Sequence, residues 1–245
     1  MIKITIIAEA GICHNGDMHL AKALIREAKW AGCDIWKTQV YSVDALFPDH
    51  QIMAQGKNWY EEVKRTELTK KQTFELADYC AGCRIEFMAS AWDEERLSWL
   101  EECGVKRHKI GTRAIRNFPL IAKMLATKKQ VILSVPYGKS SILSEKGSPI
   151  TYKIAQSGQV KLLYCIPEYP TPAEHISLSS IDWKYYDGWS DHTIGIEASM
   201  EVIKLGAKIV EKHFSLDPSS KAGPDHICST SPQGMRQLVE FARKV

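Results

Sequence analysis

No stretch of this sequence approaches the roughly 20 consecutive apolar residues that a membrane-crossing helix requires, so no membrane span is expected. No linker and no low-complexity tract interrupts it. The first residues run straight into Ile2-Lys3-Ile4-Thr5-Ile6-Ile7, without the layout of a secretory leader. An excess of charge of one sign is also missing. The 32 Lys and Arg against 29 Asp and Glu leave +3, and the basic residues are spread along the chain. Without a basic stripe, nucleic acid is not an expected partner. The cysteines (Cys13, Cys33, Cys80, Cys83, Cys103, Cys165 and Cys228) are odd in number and irregular in spacing. Only one C-x-x-C pair occurs, Cys80-Ala81-Gly82-Cys83, and no second pair completes a zinc site. It falls at an expected helix end, so spare or buried thiols in a reducing cytoplasm are the expectation.

What is present is ordinary globular composition, 44% hydrophobic and 25% charged, in 245 residues. A chain this long buries a large core. A helix–Gly–strand step repeats along it. Asp17 caps a helix whose apolar face is Leu20, Ala21, Leu24, Ile25, Ala28 and Ala31, Gly32 ends it, and Asp34–Gln39 reads as a strand. The step recurs with Glu94–Glu102, Gly104 and Lys106–Ile110, and again with Ile196–Leu205, Gly206 and Lys208–His213. Further strand runs lie at Ile4–Ala8, Ile85–Ala89, Gln130–Ser134, Val160–Cys165 and Tyr186–Ser190. Ser231 and Pro232 open a last helix with Met235, Leu238, Val239 and Ala242 on one face. Eight strands alternating with helices in a chain near 250 residues predict an α/β fold, a single-domain (β/α)₈ barrel over residues 1–245. Tyr41–Thr69 is the longest irregular stretch, expected as a lid or an oligomer contact.

Catalytic groups of such barrels sit at the C-terminal strand ends. Strand by strand, those ends deliver Glu9; Lys37 and Gln39; Ser90; Lys109 and Thr112; Ser134; Cys165 and then Tyr169; Ser190, Asp191 and His192; and Glu211 and His213. Period 2 sets Lys37 beside Gln39, and Glu211 beside His213, on one side of their strands. Two lysines with the hydroxyls of Ser90, Thr112, Ser134 and Ser190 suit a phosphate and a carboxylate. The competing reading is that each lysine pairs with Glu9 or Glu211 for structure alone. His192 and His213 end neighbouring strands about 4.8 Å apart, where two imidazoles can hold one divalent ion and leave positions open for substrate and water. Asp191 is placed to orient His192 instead. His14 is either a further polar contact or a turn residue. The loop Gly223-Pro224-Asp225-His226 either brings Asp225 to the same mouth or is a plain turn.

The same residues carry a resemblance. The run Ile7-Ala8-Glu9-Ala10-Gly11-Ile12-Cys13-His14-Asn15-Gly16 resembles the opening motif of the sialic acid synthases. So do Trp36-Lys37-Thr38-Gln39, Lys109-Ile110-Gly111, Ile132-Leu133-Ser134 and Tyr169-Pro170-Thr171-Pro172. Ser190-Asp191-His192-Thr193-Ile194-Gly195, Glu211-Lys212-His213-Phe214 and Gly223-Pro224-Asp225 complete the set, in the family's order along nearly the whole chain. That family, the N-acetylneuraminate, legionaminate and pseudaminate synthases, condenses phosphoenolpyruvate with an amino-sugar aldehyde to a 2-keto acid. The resemblance implies a (β/α)₈ barrel, a homodimer, and a divalent ion, Mn²⁺ ahead of Mg²⁺ or Co²⁺. It makes His192 and His213 metal ligands. It makes Lys37, Ser90, Lys109, Thr112, Ser134 and Ser190 phosphoenolpyruvate contacts, with Ser90 and Thr112 exchanging the family's usual Thr and Ser. Gln39, Tyr169 and Asp225 become acceptor contacts. Glu9, Lys37 and Lys109 become the catalytic groups.

Three departures modify this expectation. The family's Ser-Gly-Glu after Lys-Ile-Gly is Thr112-Arg113-Ala114 here, which removes a carboxylate. Pro167 replaces the family's Asn, and Glu168 is the candidate to supply a carboxylate from a new position. The family's C-terminal antifreeze-like domain, with its arginine, has no counterpart in these 245 residues: either Arg113 or Arg116 replaces that group, or the acceptor differs, or the sequence is a fragment of a longer chain. The acceptor is therefore expected to differ from that of a typical sialic acid synthase. The alternatives are another phosphoenolpyruvate-using lyase or transferase on this scaffold, or a non-catalytic sugar-phosphate-binding barrel.

Overall fold

The computed structural model describes residues 3–138, 146–150 and 157–245. Eight parallel strands close a barrel: β1 (Thr5–Gly11), β2 (Ile35–Val40), β5 (Glu86–Ala91), β6 (Arg107–Ile110), β7 (Gln130–Pro136), β8 (Val160–Cys165), β9 (Gly188–Asp191) and β10 (Ile209–His213), with β1 and β2 closing the ring. A two-stranded hairpin, β3 (Met53–Ala54) and β4 (Lys57–Asn58), sits outside it. The expected barrel is the observed one. β1 runs three residues further than its apolar run, because Glu9 is taken into the barrel and paired in register with Lys37 and His213. β9 starts two residues later than the run Tyr186–Ser190, since the Asp187 carboxylate leaves the ladder to accept from the Leu162 N–H at 3.0 Å and from Lys161.

Local chemistry sets the helix ends. In α1 (Met18–Ala31) the Asp17 carboxylate accepts from the His19 and Leu20 amides, and Gly32 closes the helix at φ +87°, a left-handed conformation that suits glycine. Its buried face, Leu24, Ile25, Ala28 and Ala31, packs against the strands and against the last helix, Pro232–Ala242, which Ser231 caps. The connection after β8 is made by the 3₁₀ turns Ala173–His175 and Leu178–Ser180 rather than an α-helix.

Side-chain alternation positions the site. Facing inward, Ile7, Ile35, Met88, Ile132, Leu163 and Ile209 form one apolar layer that plugs the barrel. Two residues further along the same strands, on the same face, stand Glu9, Lys37, Ser90, Ser134, Cys165 and Glu211. A greasy floor thus carries a polar layer directly above it. The outward faces supply the larger core between strands and helices, including Ile6, Trp36, Phe87, Val131, Trp189 and Val210.

The excursion after β2 folds into two short helices, Val43–Leu46 and Tyr60–Lys64, around the β3–β4 hairpin. Tyr41, Val43, Trp59, Tyr60 and Val63 form a small core of their own with Ile12. The Gln55 side-chain amide donates to the carbonyls of Tyr169 (3.3 Å) and Pro224 (3.1 Å), tying the hairpin to loops across the barrel mouth.

Candidate active site

A cavity of about 530 Å³ opens at the C-terminal end of the barrel. Its lining includes every residue singled out above as a metal, phosphoenolpyruvate, acceptor or catalytic candidate: Glu9, Lys37, Gln39, Ser90, Lys109, Thr112, Ser134, Tyr169, Ser190, His192, His213 and Asp225. The excursion supplies Tyr41, Leu46, Phe47, Ile52, Met53, Ala54 and Val63 as an apolar wall. These wall residues escaped the sequence reading individually. Their only signal was the length of the irregular stretch.

The floor is a buried charge network. Lys37 Nζ lies 2.7 Å from Glu9 Oε2 and 3.9 Å from Glu211 Oε2, and Lys109 Nζ lies 3.4 Å from Glu211 Oε1. Lys109 also donates to Ser134 Oγ at 2.8 Å, and Ser190 Oγ donates to Glu211 at 3.1 Å. The lysines therefore do pair with barrel carboxylates, and they do so inside the cavity. The two readings of them are compatible. Charges this deep persist only when matched. Burial pushes the Glu9 carboxyl up to about 7, aided by the like charge of Glu211 and against the pull of Lys37. Burial would raise Glu211 too, but Lys109 and Lys37 outweigh it and hold its pKa below the usual carboxylate value. Burial lowers Lys109. Asp225, in the loop after β10, is raised to about 6 by burial, against the Ile12 backbone amide and Lys37. Gly11, at φ +51°, lets this carboxylate approach: a Cβ there would stand 2.7 Å from Asp225 Oδ2.

His192 and His213 face each other with ring centroids 5.3 Å apart, and the Tyr169 ring lies 4.0 Å from that of His192. His192 Nδ1 is 2.7 Å from the Ile166 carbonyl, so that nitrogen carries the proton and Nε2 keeps its lone pair. Burial lowers His192 to about 4 and His213 well below its ordinary value, so both imidazoles are neutral. His213 Nδ1 is buried without a hydrogen-bond partner, 3.9 Å from Asp225 Oδ2. Two neutral imidazoles, one with an orphaned nitrogen, have the lone pairs that a divalent cation could use. Among the described residues no group of three or more His, Cys, Asp or Glu that could hold a metal ion gathers around one point.

Other expectations are corrected. Asp191 does not orient His192. Its carboxylate accepts from Ser199 Oγ (2.5 Å) and the Thr193 amide (2.7 Å) and pairs with Lys212 at 3.3 Å, on the outer face of the barrel. Adjacent strand residues point to opposite sides, so a carboxylate next to a mouth histidine faces away from it. Glu168 supplies no carboxylate to the site. It is exposed and paired with His175 at 2.8 Å, although its neighbour Pro167 lines the cavity. His14 is the turn residue of its two readings: Nδ1 accepts from the Gly16 amide and the ring does not line the cavity. Of the two arginines, Arg113 lines the cavity and exposed Arg116 does not. Ala114 packs into the core.

A closed parallel barrel with lysines, acidic side chains and two imidazoles at the C-terminal ends of its strands has the layout of a (β/α)₈ barrel enzyme. The comparisons agree. The NeuB family model matches residues 24–245, and the chain belongs to that family. It is 34% identical to the N,N'-diacetyllegionaminic acid synthase of Campylobacter jejuni, over 100% of this chain and 77% of that protein. It is 32% identical to the enzyme of the same name from Legionella pneumophila, over 97% of this chain and 71% of that one. A crystal structure of N-acetylneuraminic acid synthetase from Leptospira borgpetersenii in complex with citrate superposes with TM-score 0.86 at 30% identity, over 98% of this chain and 83% of that one. These relatives are synthases, so the non-catalytic barrel is set aside.

Proposed function

We propose that the chain condenses phosphoenolpyruvate with an amino-sugar aldehyde and water, giving a 2-keto acid and inorganic phosphate. The observation that carries this is the polar layer: Lys37, Lys109, Ser90, Ser134 and Ser190 converge above an apolar floor, beside two carboxyls whose pKa values lie near neutrality. Lys37, Lys109 and the hydroxyls, with Thr112, hold the phosphate and carboxylate of the enol and fix its C3 toward the acceptor. Gln39, Tyr169 and Asp225 position the aldehyde against the excursion wall. C3 bonds to the aldehyde carbon while the aldehyde oxygen takes a proton. Water then adds at C2 and gives up one proton, and the C2–O bond to phosphate breaks as the new C2 hydroxyl passes its remaining proton to the departing phosphate, leaving the ketone. A carboxyl poised near pH 7 serves both proton transfers, and Glu9 is the group assigned to them.

His192 and His213 are the residues that would hold a divalent ion, Mn²⁺ or otherwise Mg²⁺ or Co²⁺. Such an ion supplies Lewis-acid polarisation of the aldehyde. The resemblance also carries a homodimer, which sedimentation velocity checks. A reducing cytoplasmic setting accords with seven free cysteines.

One observation favours a second reading, a different acceptor on the same phosphoenolpyruvate chemistry: Ala114 lies in the core, where the resembling family carries a glutamate. Phosphate release from phosphoenolpyruvate, assayed with Mn²⁺ and a panel of aldehydes, tests both. Release with an amino-sugar aldehyde is the expected result, and release only with other aldehydes selects the second reading. No release with any acceptor, together with no bound metal, refutes the assignment.

A further inference from the structure

The cavity wall holds one cation that no carboxylate of the described residues neutralises. Lys37 and Lys109 are matched by Glu9 and Glu211. Arg113 lines the same cavity from the 3₁₀ turn Thr112–Ala114, at the exposed rim beyond the end of β6, and has no ion pair among the described residues. Its guanidinium lies over the Phe47 ring, 4.5 Å from the centroid. Stacking engages the flat face of a guanidinium and leaves its N–H edge free to make a bidentate contact. Leu46, Phe47 and Ile52 line the same cavity as Arg113. The neighbouring position offers no compensation, since Ala114 is turned into the core.

We propose that Arg113 recognises an anionic group, a phosphate or a carboxylate, carried by the acceptor at the end remote from its aldehyde. This rests on the condensation reading above and names the acceptor class. Phosphoenolpyruvate does not need Arg113, because its two anionic groups meet Lys37, Lys109 and the hydroxyls on the floor. Arg113 stands four residues past Lys109, at the level of the excursion wall, where the distal part of a sugar would lie.

The test compares N-acetylmannosamine, its 6-phosphate and the corresponding 6-carboxylate as acceptors, with wild type, Arg113→Lys and Arg113→Ala, at saturating phosphoenolpyruvate. Wild type is expected to prefer an anionic acceptor, and the arm that wins distinguishes phosphate from carboxylate. Arg113→Ala should cut the anionic-to-neutral ratio of kcat/KM by about 10- to 100-fold, the range for losing a charge-assisted contact. Arg113→Lys should fall between, as it keeps the charge and loses the fork. A wild-type preference for the neutral sugar, an unchanged ratio, or a KM for phosphoenolpyruvate that moves as much as that for the acceptor overturns the proposal. If no acceptor supports turnover, the condensation reading fails separately, and calorimetric binding of the 6-phosphate decides. Affinity at least tenfold weaker in Arg113→Ala upholds anion recognition, and equal or undetectable binding in both refutes it.

Discussion

Lys37 and Glu9, side by side in register on β2 and β1, form an ion pair of 2.7 Å whose two side chains are almost wholly buried. The pair does not behave as a simple salt bridge. Burial and the neighbouring Glu211 outweigh the attraction of Lys37, so Glu9 titrates near neutrality while Lys37 stays firmly protonated. A carboxyl held next to a permanent cation, yet able to take up a proton near pH 7, is the feature from which the first two predictions follow.

Glu9→Gln should lower kcat by about 10²- to 10⁴-fold, the usual weight of a positioned acid–base group. The limb of the kcat–pH profile near pH 7 should disappear with it. A variant that keeps both wild-type turnover and that limb would remove Glu9 from the proton transfers.

Stability should respond to pH in a defined direction. The folded-state pKa of Glu9 is raised, from 4.5 to about 7, so the native state binds more protons than the unfolded chain between those values. The Glu9 contribution is therefore fully present below pH 4.5 and is lost as pH rises through 7. Relative to Glu9→Gln, wild type should lose up to about 3 kcal/mol across that window. Urea denaturation at pH 5 and pH 8 measures the difference, and no change between the two would contradict it.

Lys109→Met should raise the KM for phosphoenolpyruvate and reduce kcat/KM by about 10²- to 10³-fold, the scale of removing one electrostatic contact from a desolvated site. It also strands Glu211, whose remaining lysine neighbour is 3.9 Å away. Ser134→Ala, which removes only the hydroxyl 2.8 Å from Lys109, should be milder. Equal effects of the two would place the substrate elsewhere.

Chelation should abolish phosphate release, and added Mn²⁺ should restore it in wild type but not in His213→Asn. Metal content by atomic spectroscopy should fall in His192→Asn and His213→Asn alike. Full turnover of a metal-free, chelated protein would end the metal assignment.

Asp191→Ala should act on stability rather than on substrate binding. It leaves Lys212 buried without its carboxylate, at a cost of about 3–5 kcal/mol. For a chain of this size that corresponds to a fall in Tm of about 10 °C, readable by calorimetry. An unchanged Tm would show that the pair is not the brace described.

The barrel and most of its mouth were legible in the sequence because both follow from local rules. Apolar runs bounded by glycines mark the strands, and a period of two fixes which residues share a face. Ile7 then Glu9, Ile35 then Lys37, Met88 then Ser90, and Ile209 then Glu211 therefore spell out an apolar layer with a polar layer above it. Loops do not obey such rules. Glu168 and Asp225 both follow strand ends, yet one faces solvent beside His175 and the other enters the cavity, where Gly11 leaves room for it. Only the folded chain decided that the excursion forms the wall, that Asp191 braces Lys212 instead of His192, and that Arg113 reaches the cavity while Ala114 does not. The physical reason is that strand periodicity is set by the backbone alone, whereas the direction of a loop side chain depends on contacts between residues far apart in sequence.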